Sequence, residues 1–266
     1  MVATMEDMAR QTGVPVPASV KSFLFDGWLE EIRTKGISYE QNLDGFTVLA
    51  PIDAPPKIIC LAFNYYDHAS EQNVTVPDGP VIVFKPRTAL TGPYADIRCP
   101  GFVRELDYEI ELAFVMGREC RNVSEDEAMG AVAGYMILND VTARDIQFKD
   151  GQFGRAKGMD TFAPCGPWIT TADEIADPHS LKLVTKVNGQ TRQDATAAGM
   201  SVRIPQIISR LSRGMTLERG DVISTGTPAG VALKSSRFGF LKDGDRIDME
   251  IQGLGAISNV VRFDDP

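Results

Sequence analysis

Histidine is nearly missing from this chain of 266 residues, which holds only His68 and His179. Two imidazoles exclude a three-histidine zinc site and an H-E-x-x-H protease, so any metal must be held mainly by oxygen. Cysteine is sparse as well. Cys60, Cys99, Cys120 and Cys165 lie far apart, with no C-x-x-C pair and no histidine at zinc-finger spacing, which predicts reduced, structural thiols. Cys60, after "KII", reads as a buried strand residue. Apolar runs such as "GAVAGYMIL" are too short to span a bilayer. Runs of basic residues are absent too: 27 Lys and Arg are scattered among 36 Asp and Glu, for a net charge of −9. Neither nucleic acid nor an anionic membrane is therefore the expected partner. The opening "MVATMEDMARQTG" has early acidic residues and no apolar centre, unlike a signal or transit peptide, so the expected location is cytoplasmic. No G-x-S-x-G occurs, which excludes a serine hydrolase of that type. "GTPAG" lacks the G-K-[ST] ending of a phosphate cradle and reads as a tight turn.

What remains is an ordinary folded composition, 43% hydrophobic and 24% charged, long enough for one large domain or a large one with a small appendage. In "SVKSFLFDGWLEEIRTKG" the apolar residues Val20, Phe23, Leu24, Trp28, Leu29 and Ile32 recur at helical spacing, with Gly36 as the stop. A short strand is expected in "FTVLAPI". The prolines of "DAPPK" then mark a boundary, giving a small α/β region over 1–55 and a main domain over 56–266. Strand signals dominate the latter, in "KIICLAF", "VIVFK", "DYEIELAFVMG", "GYMILND", "LKLVTKVNG", "DVISTG" and "DRIDMEIQG". Asn188-Gly189 suits a type I′ hairpin turn. Helical patterns are fewer, in "SEDEAMGAVAG", where Ser124 and Glu127 make a capping box, and in "SVRIPQIISRLSRG", where Pro205 limits the start. Strands do not alternate regularly with helices, so the fold class is α+β, mainly β, rather than a doubly wound sheet or a TIM barrel.

Chemistry concentrates in "ELDYEIELAFVMG". Read as a strand, it turns Asp107, Glu109 and Glu111 to one face, and two glutamates at i and i+2 are close enough to grip one cation. An isolated E-x-E is more often a solvated strand face. A second acidic stretch, "GYMILNDVTARDIQ", ends an apolar strand at Asn139-Asp140. Asp140 is either a third carboxylate for an all-oxygen site suited to Mg²⁺ or Mn²⁺, or a helix N-cap.

The segments "FNYYDHASE", "DYEIELAFVMG", "AGYMILNDVTARDIQ", "KGMDTFAPCGPW", "VNGQTRQ", "GDVISTGTPAGV" and "FLKDGDRIDMEIQGLGAISNVV" resemble, in order and spacing over about residues 56–264, the smaller branch of the fumarylacetoacetate hydrolase superfamily. The resemblance implies a mixed β-sandwich roll, a homodimer, and Mg²⁺ or Mn²⁺ on Glu109, Glu111 and Asp140. It places Arg144, Gln147 and Thr227 on the substrate, with Lys157 joining them as a catalytic cation. The plain alternatives are surface charges for Arg144 and Lys157 and a turn residue for Thr227. His68 and Glu71 match a dyad in which the carboxylate orients the imidazole that moves a proton. Two departures bear on specificity. Asn64 stands where larger members have an additional acidic ligand, and Gly158, Met159 and "VALKSSRFGF" differ from many relatives. The implied substrate is a small 2-oxo acid. The expected activity is metal-dependent C–C hydrolysis of acylpyruvates or 2,4-dioxo acids through an enolate. Its alternatives are isomerisation of 2-hydroxy-dienedioates, decarboxylation or tautomerisation of oxaloacetate, and a catalytically silent binding protein.

Overall fold

A computed structural model describes residues 5–14, 17, 19–26, 28–35, 37, 46–235 and 238–265, and the chain divides into two compact units, 1–48 and 49–266. The described part of the first unit is helical: α1 (Met5–Thr12), α2 (Val20–Phe25) and α3 (Trp28–Arg33). The single helix expected over 20–36 is thus two. Ser19 accepts from Ser22 N at the start of α2, and Asp26 N closes its end on Ser22 O. Gly36, the expected stop, lies outside the described residues. The strand expected in "FTVLAPI" does not form. Residues 46–50 have no regular structure, with Phe46 and Leu49 exposed, because alternation makes a strand only where a neighbouring edge takes its hydrogen bonds. The described residues of the first unit are thus helical, and residues 38–45 of the expected α/β region lie outside the described residues.

The second unit is a sandwich of two sheets. One runs in the order β2 (Val81–Lys85), β1 (Ile58–Ala62), β12 (Val222–Ser224), β6 (Ile110–Met116), β7 (Val132–Asn139), β9 (Ala163–Thr171), β3 (Leu90–Thr91). The other runs β11 (Gln190–Thr196), β10 (Lys182–Val187), β13 (Arg246–Ile251), β14 (Gly255–Phe263), β4 (Ile97–Cys99), and a short β5 (Leu106–Asp107) pairs with β8 (Thr142–Ala143). Leu183, Ile247 and Ile257 of the second sheet share one buried cluster with Leu112, Phe114 and Ile137 of the first. The burial patterns follow the sequence. β10 and β13 alternate buried and exposed residues, while every residue of β6 is buried, as befits a strand covered on both faces. Parallel and antiparallel pairs coexist, so the sheets are mixed, as the α+β, mainly β reading expects.

Helices α4 (Tyr66–Glu71), α5 (Glu125–Ala128), α6 (Arg144–Asp150), α7 (Gly154–Lys157) and α8 (Ile204–Ser212) complete the described elements. Glu127 accepts from Ser124 N and Oγ, the reciprocal half of the capping box, and Pro205 sits in the first turn of α8, where it removes no helical bond. Asn188 and Gly189 both have positive φ, 51° and 78°, as a type I′ turn between β10 and β11 requires. No helix among the described residues is long and apolar enough to cross a membrane.

One difference from the sequence reading shapes the site. "ELDYEIELAFVMG" is not one strand but β5 and β6 with a break at Tyr108-Glu109. There, Asp107 Oδ1 accepts from Tyr108 N and Asn139 Oδ1 from Glu109 N, so side chains take the place of ladder partners.

Candidate active site

The start of β6, the end of β7 and the end of β1 meet at one cavity. Asp140 N donates to Glu109 O at 2.9 Å, so the backbone itself sets the two acidic stretches side by side. Asp140 caps no helix, since α6 begins at Arg144 with Ala143 before it. Glu109, Glu111 and Asp140 are all buried, which removes the solvated-face alternative. Gly226, at φ 87°, donates its N–H to Glu111 Oε2 at 3.0 Å. A Cβ there would stand 2.9 Å from Leu61 O, so only glycine delivers that N–H at a left-handed turn this tight.

Three buried cations face these carboxylates. Lys157 Nζ lies 2.6 Å from Glu109 Oε2, 2.7 Å from Asp140 Oδ2 and 2.8 Å from Thr142 Oγ1. Arg144 donates through Nη2 to Glu109 Oε1 at 2.5 Å, through Nε to Asp107 Oδ2 at 2.9 Å and through Nη1 to Gln147 Oε1 at 3.1 Å. Lys85 reaches Asp140 Oδ1 at 2.5 Å and Val141 O at 3.3 Å. Neither Arg144 nor Lys157 is a surface charge. Burial opposes the charge on Lys157, but Asp140 and Glu109 outweigh it and raise its pKa. The side chain is therefore a fixed ammonium at neutral pH, not a base. Burial likewise works to raise Glu109, and Lys157 and Arg144 overcome it, holding the carboxylate below its usual range. Glu111 behaves oppositely: burial, then Asp140 and Glu109, push it well up.

The donor set fits a hard divalent cation. Glu111, Asp140 and Cys60 offer ligand atoms within 4.8 Å of one another, and Glu111 is a buried carboxylate at which negative charge is in excess, which a dication would relieve. Burial, Asp140 and Glu111 push the Cys60 thiol up, and the two carboxylates are the oxygen donors that a hard cation prefers. Glu109 stands beside this group with its two oxygens engaged by Arg144 and Lys157.

His68 and Glu71 lie on α4, one turn apart. His68 Nδ1 is 3.6 Å from Glu71 Oε2, beyond a hydrogen bond but within ion-pair range. Both Glu71 oxygens accept from Gly230 N at 3.2 Å. Phe63, held at φ 57° between β1 and α4, stacks on the His68 ring with centroids 6.1 Å apart. A cavity of about 180 Å³ is lined by His68, Glu109, Glu111, Asp140, Arg144, Gln147, Lys157 and Thr227, together with Cys60, Phe63, Phe148 and Leu233 among others. Of the nine residues singled out from sequence, only Glu71 is not in its wall.

Some side chains have narrower roles than their chemistry allows. Thr227 Oγ1 donates to Ile110 O and accepts from Gln193 Nε2, so its hydroxyl is committed to holding the loop after β12 against β6. Asn64 spends its whole amide on Val202, Thr225 and Ser201 and faces no carboxylate of the site. Sequence reasoning missed Lys85 as a partner of Asp140. The one signal was a lysine closing an otherwise apolar strand directly before Pro86. It also missed Gln193, which bridges Ile110 N, Thr185 Oγ1, Thr227 Oγ1 and Pro228 O.

Comparison with known proteins identifies the family. The family model for the fumarylacetoacetate (FAA) hydrolase C-terminal domain matches residues 57–262. The chain is 42% identical over 216 residues, 81% of its own length and 69% of the other's, to the mitochondrial oxaloacetate tautomerase Fahd2a of Rattus norvegicus. Among solved structures, it is similar to 2-hydroxyhepta-2,4-diene-1,7-dioate isomerase from Mycobacterium marinum, with 43% identity, TM-score 0.72, and 82% and 78% of the two chains covered. It is also similar to a fumarylacetoacetate hydrolase from Exiguobacterium antarcticum, with 35% identity, TM-score 0.79, and 97% and 91% covered. With a family model matched over most of its length and such relatives along most of theirs, the chain belongs to the fumarylacetoacetate hydrolase family and is one of its enzymes.

Proposed function

We propose that this enzyme moves a proton on a small 2-oxo acid, with keto–enol tautomerisation of oxaloacetate as its reaction. The observation that carries the reading is Lys157, a buried ammonium held between Glu109 and Asp140. Because that group stays charged, the base falls to His68, the one imidazole in the cavity wall and the side-chain type that exchanges protons near neutral pH. A divalent cation, Mg²⁺ or Mn²⁺, held by Glu111 and Asp140, and by Glu109 where it displaces Lys157 or Arg144 from that carboxylate, would supply Lewis-acid charge to the carboxylate and adjacent oxygen of a 2-oxo acid. His68 takes a proton from C3 and, as imidazolium, returns one to the oxygen on C2, so nothing is gained or lost overall. Glu71 steadies the imidazolium, and Lys157 balances the negative charge that develops between the two transfers. The cavity, about 180 Å³, is below the ~300–1,000 Å³ typical of drug-sized ligands and suits an acid of a few carbons. The tautomerase and isomerase names among the relatives support proton transfer without attack by water.

A second reading, C–C hydrolysis of an acylpyruvate, is favoured by the likeness to the Exiguobacterium hydrolase. There His68 would activate water instead. The family resemblance supports a homodimer, and four buried free thiols suit a reducing compartment such as the cytoplasm. The deciding experiment follows enol–keto relaxation of oxaloacetate by ultraviolet absorbance, with metal-stripped and Mn²⁺-reloaded protein, and acetylpyruvate in parallel. Metal-dependent relaxation without acetate release is expected. Acetate and pyruvate from acetylpyruvate would favour hydrolysis, and no effect on either substrate would overturn both readings.

A further inference from the structure

Asp107 lies outside the cavity wall, is fully buried, and has every lone-pair direction in use. Oδ1 accepts from Tyr108 N at 2.9 Å and Ala232 N at 2.8 Å, and Oδ2 from Arg144 Nε at 2.9 Å and Leu233 N at 3.2 Å. These four bonds run to two different parts of the site. On one side, Arg144 passes from Asp107 to Glu109 Oε1, so Asp107 sets where the guanidinium places that carboxylate. On the other side, Ala232 and Leu233 open a single 3₁₀ turn, Ala232–Lys234, two residues after Gly230. Gly230 is itself held from both faces: its N–H donates to Glu71, and its carbonyl accepts from Tyr108 Oη at 2.9 Å. The residue beside Asp107 thus holds, by its carbonyl, the same glycine whose N–H holds Glu71.

We infer that Asp107 is a positioning residue that ties the carboxylates of the cation site to the loop holding the His68–Glu71 dyad. The inference rests on the functional reading above, in that it takes Glu109 as part of a cation site and Glu71 as the partner of the base. An aspartate that only satisfied a turn would need its two or three backbone donors. This one also takes a guanidinium whose other end is on Glu109. Groups that orient ligands from behind in this way typically contribute about 10–100-fold to metal affinity or activity.

The test is Asp107→Asn, titrated with Mn²⁺ by the electron paramagnetic resonance of the free ion, alongside oxaloacetate kinetics. Asparagine has one acceptor oxygen. Whichever way its amide turns, the NH₂ faces two N–H donors, either Arg144 and Leu233 or Tyr108 and Ala232. The Mn²⁺ Kd is expected to rise about 10-fold or more, and kcat at saturating Mn²⁺ to fall by a similar factor with KM little changed. Ala232→Pro isolates the second arm, because it deletes one N–H to Asp107 and leaves Arg144 alone. Val231 is extended at φ −68°, ψ 158°, as a residue before proline prefers. Ala232→Pro is expected to keep wild-type Mn²⁺ affinity while lowering kcat and shifting its pH profile. Wild-type Mn²⁺ affinity in folded Asp107→Asn, or wild-type kcat and pH profile in Ala232→Pro, overturns the inference, and the proline variant still decides it if the asparagine variant does not fold. Wild-type protein that neither binds Mn²⁺ nor acts on oxaloacetate would overturn the functional reading and this inference with it.

Discussion

Lys157 Nζ lies 2.7 Å from Asp140 Oδ2, with both side chains almost wholly out of solvent. They lie seventeen positions apart in sequence, and they meet because α7 packs against β8, just past the end of β7. Gly158, at the end of α7, is closely packed: a Cβ there would stand 2.6 Å from Gly154 O and 3.0 Å from Pro86 Cδ.

Replacing Lys157 by Met keeps the stem and deletes the charge, leaving Glu109 and Asp140 without the one cation they share. Breaking a buried pair by removing one partner costs about 3–5 kcal/mol, so the metal-free variant should melt well below wild type. Saturating Mn²⁺ should recover part of that loss, since a dication replaces the missing charge. Turnover of oxaloacetate should stay roughly 10²-fold down even then, the typical cost of one lost electrostatic donor. An unchanged melting temperature in calorimetry would show that the ammonium does not hold the carboxylates together.

His68→Ala should behave in the opposite way. The ring touches Phe63 and faces Glu71, and no carboxylate of the cation site hydrogen-bonds to it. Mn²⁺ affinity is therefore expected to stay at the wild-type value while kcat falls on the order of 10²-fold or more. Full activity would remove the imidazole from the mechanism.

Spacing drew attention to Glu109, Glu111 and Asp140 but left their role open, and only the family resemblance singled them out; in the fold Glu109 stands in the break before β6, not on its strand face. His68 and Glu71 were legible through motif resemblance, not through spacing. Other parts carry no local signal. Lys85 reaches Asp140 from another strand, 55 residues away, and Gln193 joins two sheets through partners up to 83 residues distant. β9 went unread because Gly166-Pro167 punctuates it, and such a pair normally marks a turn. The break at Tyr108-Glu109 was hidden for a related reason: the groups that replace its ladder bonds are the side chains of Asp107 and Asn139.

Asn64→Asp tests whether an acid here, as the family resemblance implies for larger members, would join the cation site. Asn64 Nδ2 donates to the carbonyls of Val202 and Thr225 at 3.0 and 2.8 Å, so a carboxylate there would set oxygen against two oxygens. The expected cost is about 1–3 kcal/mol or more, or roughly 2–4 °C in Tm for each kcal/mol in a chain of this size. Mn²⁺ affinity should not increase. A rise in affinity would mean that the segment after β1 swings its side chain into the cation site.

Glu109 and Glu111 stand two residues apart and should contribute to stability with opposite pH dependence. The pKa of Glu109 is lowered in the fold from its ordinary 4.5, so its contribution is present above that value and is lost as pH falls through the folded pKa. That of Glu111 is raised from the same 4.5, so its contribution is fully present below 4.5 and is lost as pH rises through the folded pKa. Urea midpoints of metal-free protein between about pH 2 and 8 separate the two, with Glu109 acting below about pH 4.5 and Glu111 above it. Glu109→Gln should be less stable than wild type at neutral pH, with a flatter acid limb. Glu111→Gln should be more stable than wild type at neutral pH, because it removes the carboxylate that burial, Asp140 and Glu109 disfavour, and it should lose most of the stabilisation that Mn²⁺ gives wild type. Destabilisation of metal-free Glu111→Gln at neutral pH would mean that Glu111 is satisfied without a cation, and the strongest argument for a metal at this site would fall with it.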